Sequence, residues 1–116
     1  MTQAFNRPFK PIPGSTSPAF RIAITNVSSA NVLESTALGR VWDSPPNRVV
    51  RLANMTAAAD IHVNFGSSLI TAASTDGILV LGGTVEAFAV NPTDTYIAVI
   101  SSTDAAFLNV TLGKGY

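Results

Sequence analysis

Residues 84–112 read TVEAFAVNPTDTYIAVISSTDAAFLNVTL, and this stretch decides the fold class. Three mainly apolar runs, 84–90, 95–101 and 106–112, are separated by the short polar segments 91–94 and 102–105. Asn-Pro and Thr-Asp pairs favour turns, because Pro fixes φ and Asn or Asp side chains bond their own backbone. Apolar residues at alternate positions predict β-strands, and the short turns predict that the three strands form an antiparallel meander.

The same alternation extends upstream to residue 19. In residues 20–24 and 61–65 every second residue is large and apolar, and turn signals occur at 43–47, 76–77 and 82–83. No segment sustains a period of 3.6 residues, although residues 34–38 are compatible with one short helical turn. Seven or eight short strands with such turns predict an all-β chain, in which residues 19–116 form an antiparallel β-sandwich.

Residues 1–18 predict an extended, Pro-rich N-terminal arm. Its prolines, which prevent helix formation and cannot donate to a strand ladder, are Pro8, Pro11, Pro13 and Pro18. Large apolar and basic side chains stand between them: Phe5, Arg7, Phe9, Lys10 and Ile12. Such residues are unusual in a disordered tail. Two interpretations remain open, an arm that inserts into a neighbouring subunit and an arm that covers a sheet edge of its own domain.

The charge content is low for a small domain. Charged residues make up 12% of the 116 residues, against roughly 25% in a typical soluble domain. Seven basic and seven acidic residues give a net charge of zero, so the composition predicts neither a nucleic acid nor a membrane partner. Residues 78–81 and 96–100 are apolar on both faces, and we expect the arm, residues 27–42 or another subunit to cover the second face. Both observations favour an assembly over an ordinary Ser/Thr-faced β-domain.

Few residues offer catalytic or metal chemistry. The chain has no Cys, and His62 is its single histidine, with Asp60 as the nearest acid. We therefore expect no enzyme activity, no metal and no cofactor. Glu86 lies within a predicted strand and could be a buried acid, an inward charge at a sheet edge, or an ion-pair partner of Arg48 or Arg51. Trp42 and Tyr96 are the candidate aromatic platforms for a sugar.

The C-terminal two-thirds resembles small virion proteins of tailed bacteriophages. The resemblance spans residues 48–115 and lies in five ordered elements, RLAN (51–54), DIHVNFGSS (60–68), GTVEAFAV (83–90), YIAVIS (96–101) and LNVTLGKG (108–115). The resemblance implies a β-sandwich fold, with the jelly roll as one candidate type. It also implies that the protein is a component of the virus particle and not an enzyme. The arm (residues 1–18) and residues 27–42 have no counterpart in it.

The resemblance leads us to expect a capsid decoration or cement protein, located on the virion surface and made in the host cytoplasm. Its partners would be the major capsid protein and further copies of itself. The expected contacts are four residues of the arm and two basic residues that face an acidic capsid surface: Phe5, Arg7, Phe9, Ile12, Arg48 and Arg51. The alternatives are a tail, connector or host-recognition module and, third, an enzyme or small-ligand binder with Asp60, His62 and Glu86 in one pocket.

Overall fold

The computed structural model describes residues 10–11, 18–42 and 48–114. These residues contain no helix and form nine β-strands: β1 (Lys10–Pro11), β2 (Ala19–Ile24), β3 (Ser29–Val32), β4 (Arg48–Asn54), β5 (Ile61–Gly66), β6 (Ile78–Val80), β7 (Val85–Ala89), β8 (Tyr96–Ser101) and β9 (Ala106–Lys114). Of the predicted arm, residues 1–18, the structure describes β1 and Pro18, and the other residues lie outside the described ranges.

The strands form two antiparallel sheets. Sheet A has the order β2-β9-β4-β7, and β1 pairs with the last residues of β9. Sheet B has the order β3-β8-β5-β6. Six of the seven connections from β2 to β9 pass from one sheet to the other, and only the β5–β6 connection stays within a sheet. This strand order is that of a jelly roll, and the predicted antiparallel β-sandwich is confirmed.

The predicted meander of the last three strands is wrong. β7 pairs with β4, β8 pairs with β3 and β5, and β9 pairs with β2 and β4, so none of the three is the neighbour of another. A four-residue connection can span about 13 Å when extended, which is enough to cross the roughly 10 Å between packed sheets. A short turn signal is therefore equally compatible with a hairpin and with a crossing between sheets.

The core lies between the two sheets and is aliphatic. Its inward-facing side chains, each at most 5% exposed, are Ile22, Ile24, Val50, Leu52, Leu108, Val110 and Leu112 from sheet A and Ile61, Val63, Val80, Ile97 and Val99 from sheet B. Burial of each such side chain stabilises the fold by about 1.5–3 kcal/mol. The alternation of buried and exposed residues along β2 and β5 is the one that the sequence predicts.

Residues 33–42 close one side of the sandwich. Ser35 and Arg40 form a β-bridge around a turn at residues 36–39, in which Gly39 has a φ of 76°. The segment for which the sequence allows a short helical turn thus contains a hydrogen-bonded turn and no helix. At the end of this segment the indole Nε1 of the buried Trp42 donates to the Gly113 carbonyl oxygen over 2.8 Å, which ties the segment to β9.

Arg40 holds this segment against the core although it is charged. Its Nε donates to the Leu33 oxygen over 2.7 Å and its Nη2 to the Val32 oxygen over 3.1 Å. The guanidinium lies 3.7 Å from the centre of the Phe20 ring. Burial lowers the pKa of Arg40, but an arginine stays protonated in proteins, and the two carbonyls and the ring stabilise the charge.

A loop of residues 67–77 crosses the outer face of sheet B. The Asn64 Nδ2 of β5 donates to the Thr71 oxygen, and the Ala72 N–H donates to Ser28 Oγ, just before β3. Between these two strands, Ala98 of β8 faces away from the core and is nevertheless 0% exposed. This loop is thus the cover over the second face of β8, and it was not among the covers that the sequence predicted.

Candidate interaction surface

The outer face of sheet A is made by the side chains that alternate with the core residues. The strand registers place the following outward: Ala19, Arg21 and Ala23 of β2; Phe107, Asn109 and Thr111 of β9; Val49, Arg51 and Ala53 of β4; Val85, Ala87 and Ala89 of β7. All of them are exposed or half-exposed. We call this set, together with Met55 directly after β4, the outer face of sheet A. Its two charged members are Arg21 and Arg51, and it contains no carboxylate.

One end of this face exposes three large apolar side chains. Met55 is 55% exposed, Val85 57% and Phe107 43%. They are neighbours across the sheet, because the Met55 N–H donates to the Phe107 oxygen over 2.9 Å and Val85 is the register partner of Ala53. Contiguous exposed apolar side chains are typical of surfaces that bind another macromolecule.

The two arginines flank a shallow depression of about 520 Å³ on the same face. Asn109 and Thr111 of β9 line it, and Met55 and Val85 stand at its apolar end. The Arg21 Nε donates to Asn109 Oδ1 over 3.2 Å, and its guanidinium lies 5.4 Å from the centre of the Phe107 ring. Arg21 is therefore oriented along the surface of the sheet, where its planar group faces solvent.

The structure separates the two arginines that the sequence singles out in β4. Residues 48 and 51 are an odd number of positions apart, so their side chains lie on opposite faces of the strand. Arg51 is exposed on the outer face of sheet A. Arg48 Nη1 makes an ion pair of 2.8 Å with Glu34 Oε1, and only 13% of the Arg48 side chain is exposed. The other predicted contacts, Phe5, Arg7, Phe9 and Ile12, lie outside the described residues.

The remaining surface residues that form this face were not singled out from the sequence. Arg21 lies in a segment that the sequence predicts as a strand. Its outward neighbours in that strand are Ala19 and Ala23, which give no sign of a binding surface. The three large apolar side chains lie in β7, in β9 and directly after β4, and these strands become neighbours only when the chain folds. Arg21 could have been found from the sequence in one way. The alternating apolar residues fix the inward side of the strand, and this leaves the arginine between small residues on the outward side.

The candidate chemical residues do not come together. His62 lies half-buried on the outer face of sheet B beside Leu79 and Ile100, whereas Glu86 lies exposed on β7 of sheet A. The register of β7 turns Glu86 to the same side as Leu52, opposite to Arg51, and Arg48 is paired with Glu34. Glu86 is thus an inward-facing charge on an edge strand, a feature that discourages pairing with other sheets. In the described ranges no group of three or more acidic and histidine side chains could hold a metal ion.

The structure also shows where the two candidate aromatic platforms for a sugar lie. Trp42 is 4% exposed and its N–H is bonded to Gly113, so its ring is not a surface platform. Tyr96 is half-buried on β8.

Within residues 10–11, 18–42 and 48–114 there is no helix of the length and apolar character that a membrane span requires.

Compared with protein-family models and with curated protein sequences, the chain matches none of them. A function has therefore to be inferred from the surfaces of the molecule.

Proposed function

We propose that this chain is a structural protein of a bacteriophage virion that binds the assembled capsid and stabilises it, as a decoration or cement protein. The observation that carries the proposal is the outer face of sheet A, with Met55, Val85 and Phe107 exposed at one end and two arginines beside them. Aromatic residues, Met and Arg are the types enriched in protein interfaces, and acidic residues are depleted there.

The jelly-roll strand order is compatible with this function. Eight-stranded jelly rolls occur in viral capsid proteins, but also in lectins and other classes, so the fold supports the proposal without deciding it. A rigid sandwich presents a sheet face whose backbone needs little rearrangement on binding. Such a surface loses less conformational entropy than a flexible one when a partner covers it.

The size of the face indicates that one contact is not sufficient. Four strands about 4.8 Å apart and about six residues long present roughly 400 Å² in projection. A stable interface buries about 800 Å² on each partner. We infer that a second contact is needed, and the arm with Phe5, Phe9 and Ile12 is our candidate for it. Two linked contacts strengthen each other through effective concentration.

A cement protein of this kind stabilises the capsid by linkage. Because it binds the assembled shell and not the separated subunits, each bound copy shifts the equilibrium towards the shell. A low charge content, 12% here, also reduces repulsion between copies that stand close together on one particle.

The test is the copy number of the chain in purified particles, measured by quantitative mass spectrometry against the major capsid protein. We expect a simple ratio to the capsid subunits. A few copies per particle would assign the chain to the tail or connector, and absence from the particle would refute the proposal.

The proposed role of the arm has its own test. We expect Phe5→Ala with Phe9→Ala to lower the occupancy on particles while the thermal unfolding of the free protein stays unchanged. Unchanged occupancy would remove the arm from the set of contacts, without affecting the role of the sheet face.

A further inference from the structure

We propose that Asp76 is a site of spontaneous covalent modification, at which the aspartyl residue converts to isoaspartate through a cyclic succinimide. The site lies near the end of the loop of residues 67–77, which crosses the outer face of sheet B. The inference goes beyond the proposed function and does not depend on it, because the chemistry needs only the folded chain and water.

The two reacting groups already lie side by side. The Gly77 N–H donates to Asp76 Oδ1 over 2.7 Å, so the main-chain nitrogen lies against the carboxyl group of the preceding residue. Attack is favoured by a near-attack arrangement, in which the reacting atoms are about 3–3.5 Å apart. Asp76 and Gly77 are both exposed, so water reaches the site. Closure of the ring therefore needs little further rotation of the Asp76 side chain.

The fold itself requires a glycine at position 77. Its φ is 96°, and a Cβ there would lie 2.7 Å from the Val63 oxygen and 2.9 Å from Asn64 Oδ1. Because glycine has no side chain, nothing on it hinders the approach of its nitrogen to the Asp76 carboxyl carbon. No other aspartate in the sequence is followed by glycine. The close packing of the loop against β5 thus also creates the least hindered aspartyl peptide bond of the chain.

The reaction balances with water alone. The Gly77 nitrogen forms a bond to Cγ of Asp76, and the hydroxyl of the protonated carboxyl group leaves as water with the proton of that nitrogen. The product is a five-membered succinimide ring. Water then opens the ring at one of its two carbonyl carbons. Cleavage of the bond from the nitrogen to Cγ restores aspartate, and cleavage of its bond to the main-chain carbonyl carbon gives isoaspartate.

The modification also changes the loop. Isoaspartate inserts one methylene group into the main chain directly before Gly77. This part of the chain packs closely on β5, where an added Cβ would lie 2.7 Å from the Val63 oxygen, so the longer chain must shift the end of the loop. The shift strains the bond of 2.9 Å from the Ala72 N–H to Ser28 Oγ, which holds the loop over the buried Ala98.

The experiment compares Asp76 with Asp104 in the same protein. Asp104 and the small Ala105 after it are also exposed and described, but no hydrogen bond joins the Asp104 carboxylate to the Ala105 N–H. Folded protein and protein unfolded in urea are incubated at the same pH and temperature. Peptide mapping with electron-transfer fragmentation then measures isoaspartate at both positions. The control variant Asp76→Glu keeps the charge but would have to close a six-membered ring, which forms far more slowly, and thermal unfolding confirms that it is folded.

We expect isoaspartate to form about 10-fold or more faster at Asp76 than at Asp104 in the folded protein. This ratio should exceed the ratio in the unfolded chain, which measures the effect of the glycine without the geometry. A folded ratio equal to or below the unfolded one would overturn the inference, because the fold would then protect the site.

Amide hydrogen exchange tests the effect on the loop. Exchange at Ala72 should accelerate in the wild type as isoaspartate accumulates and stay constant in Asp76→Glu over the same incubation. Equal exchange before and after modification would refute the expected shift of the loop.

Discussion

Replacement of Asn54 by alanine should be among the most destabilising polar substitutions in the described part of the chain. Asn54 ends β4 and is 2% exposed. Its Nδ2 donates to the Ala59 oxygen over 2.7 Å and to the Val80 oxygen over 3.1 Å, and its Oδ1 accepts from the Thr56 N–H over 3.0 Å. The amide thus connects sheet A to β6 of sheet B and fixes the turn between β4 and β5.

The expected loss of unfolding free energy depends on whether each hydrogen-bond partner of Asn54 can find another bond. Ala59 and Val80 are both 0% exposed, so water cannot easily replace the lost donor at their carbonyls. A buried polar group left without its partner costs about 1–3 kcal/mol, and the half-exposed Thr56 N–H costs less because water reaches it. A carbonyl has a second lone pair that can keep another bond, so we expect a total loss of about 3 kcal/mol. For a domain of this size that lowers the Tm by about 12 °C.

The assay is denaturant unfolding of the wild type, Asn54→Ala and the matched control Asn64→Ala. Asn64 also donates its Nδ2 to a loop carbonyl, that of Thr71, but through a single exposed bond of 3.1 Å. The control should therefore lose less than about 1 kcal/mol. Equal losses in the two variants would refute the reasoning, since it depends on burial and on the number of bonds.

Two further substitutions test other parts of the fold. Arg40→Lys keeps the charge but loses the planar group that bonds two carbonyls and stacks on Phe20. We therefore expect the unfolding free energy to fall by about 2 kcal/mol. A fall below about 0.5 kcal/mol would show that any cation suffices at this position. Gly82→Ala places a Cβ against the backbone of Ala57 and 2.9 Å from the Ala59 oxygen. A Cβ at Gly83, where φ is 74°, instead makes an ordinary contact of 3.9 Å with the Ala57 Cβ. Thermal unfolding should therefore show a larger loss for Gly82→Ala than for Gly83→Ala, for which we expect about 1 kcal/mol, and the reverse order would contradict the proposed crowding.

The existence of the strands could be predicted from the sequence because period-two alternation is a local property. Residues 61–65 and 106–112 were predicted as strands, and both segments form strands with the predicted inward side. Strand pairing could not be predicted, because a connection such as 91–95 reads the same whether it joins neighbours or crosses between sheets. The cover over Ala98 was missed for a related reason, since the loop that provides it is polar and has no strand pattern.

The candidate face shows the same limit. Arg51 could be proposed from sequence, and the alternation of Val50 and Leu52 beside it already places Arg51 outward and Arg48 inward. The side chains that surround Arg51 could not be predicted from this alternation. Val85, Met55 and Phe107 meet because β7, β4 and β9 are adjacent in sheet A, and these pairs are distant in the chain.

The strands of sheet A carry the core on one side and the proposed contacts on the other, and this separates folding from binding. In β9, Leu108 and Val110 are fully buried, whereas Phe107 and Asn109 between them face outward. A shift of one residue in pairing would exchange the two sets, so the burial of Leu52, Leu108 and Val110 also fixes which side chains face the proposed partner. Substitutions on the outward side should therefore change binding with little effect on unfolding, while Asn54→Ala should reduce the folded population that carries an intact face. Loss of capsid binding at unchanged unfolding free energy is thus the result that distinguishes a contact residue from a structural one.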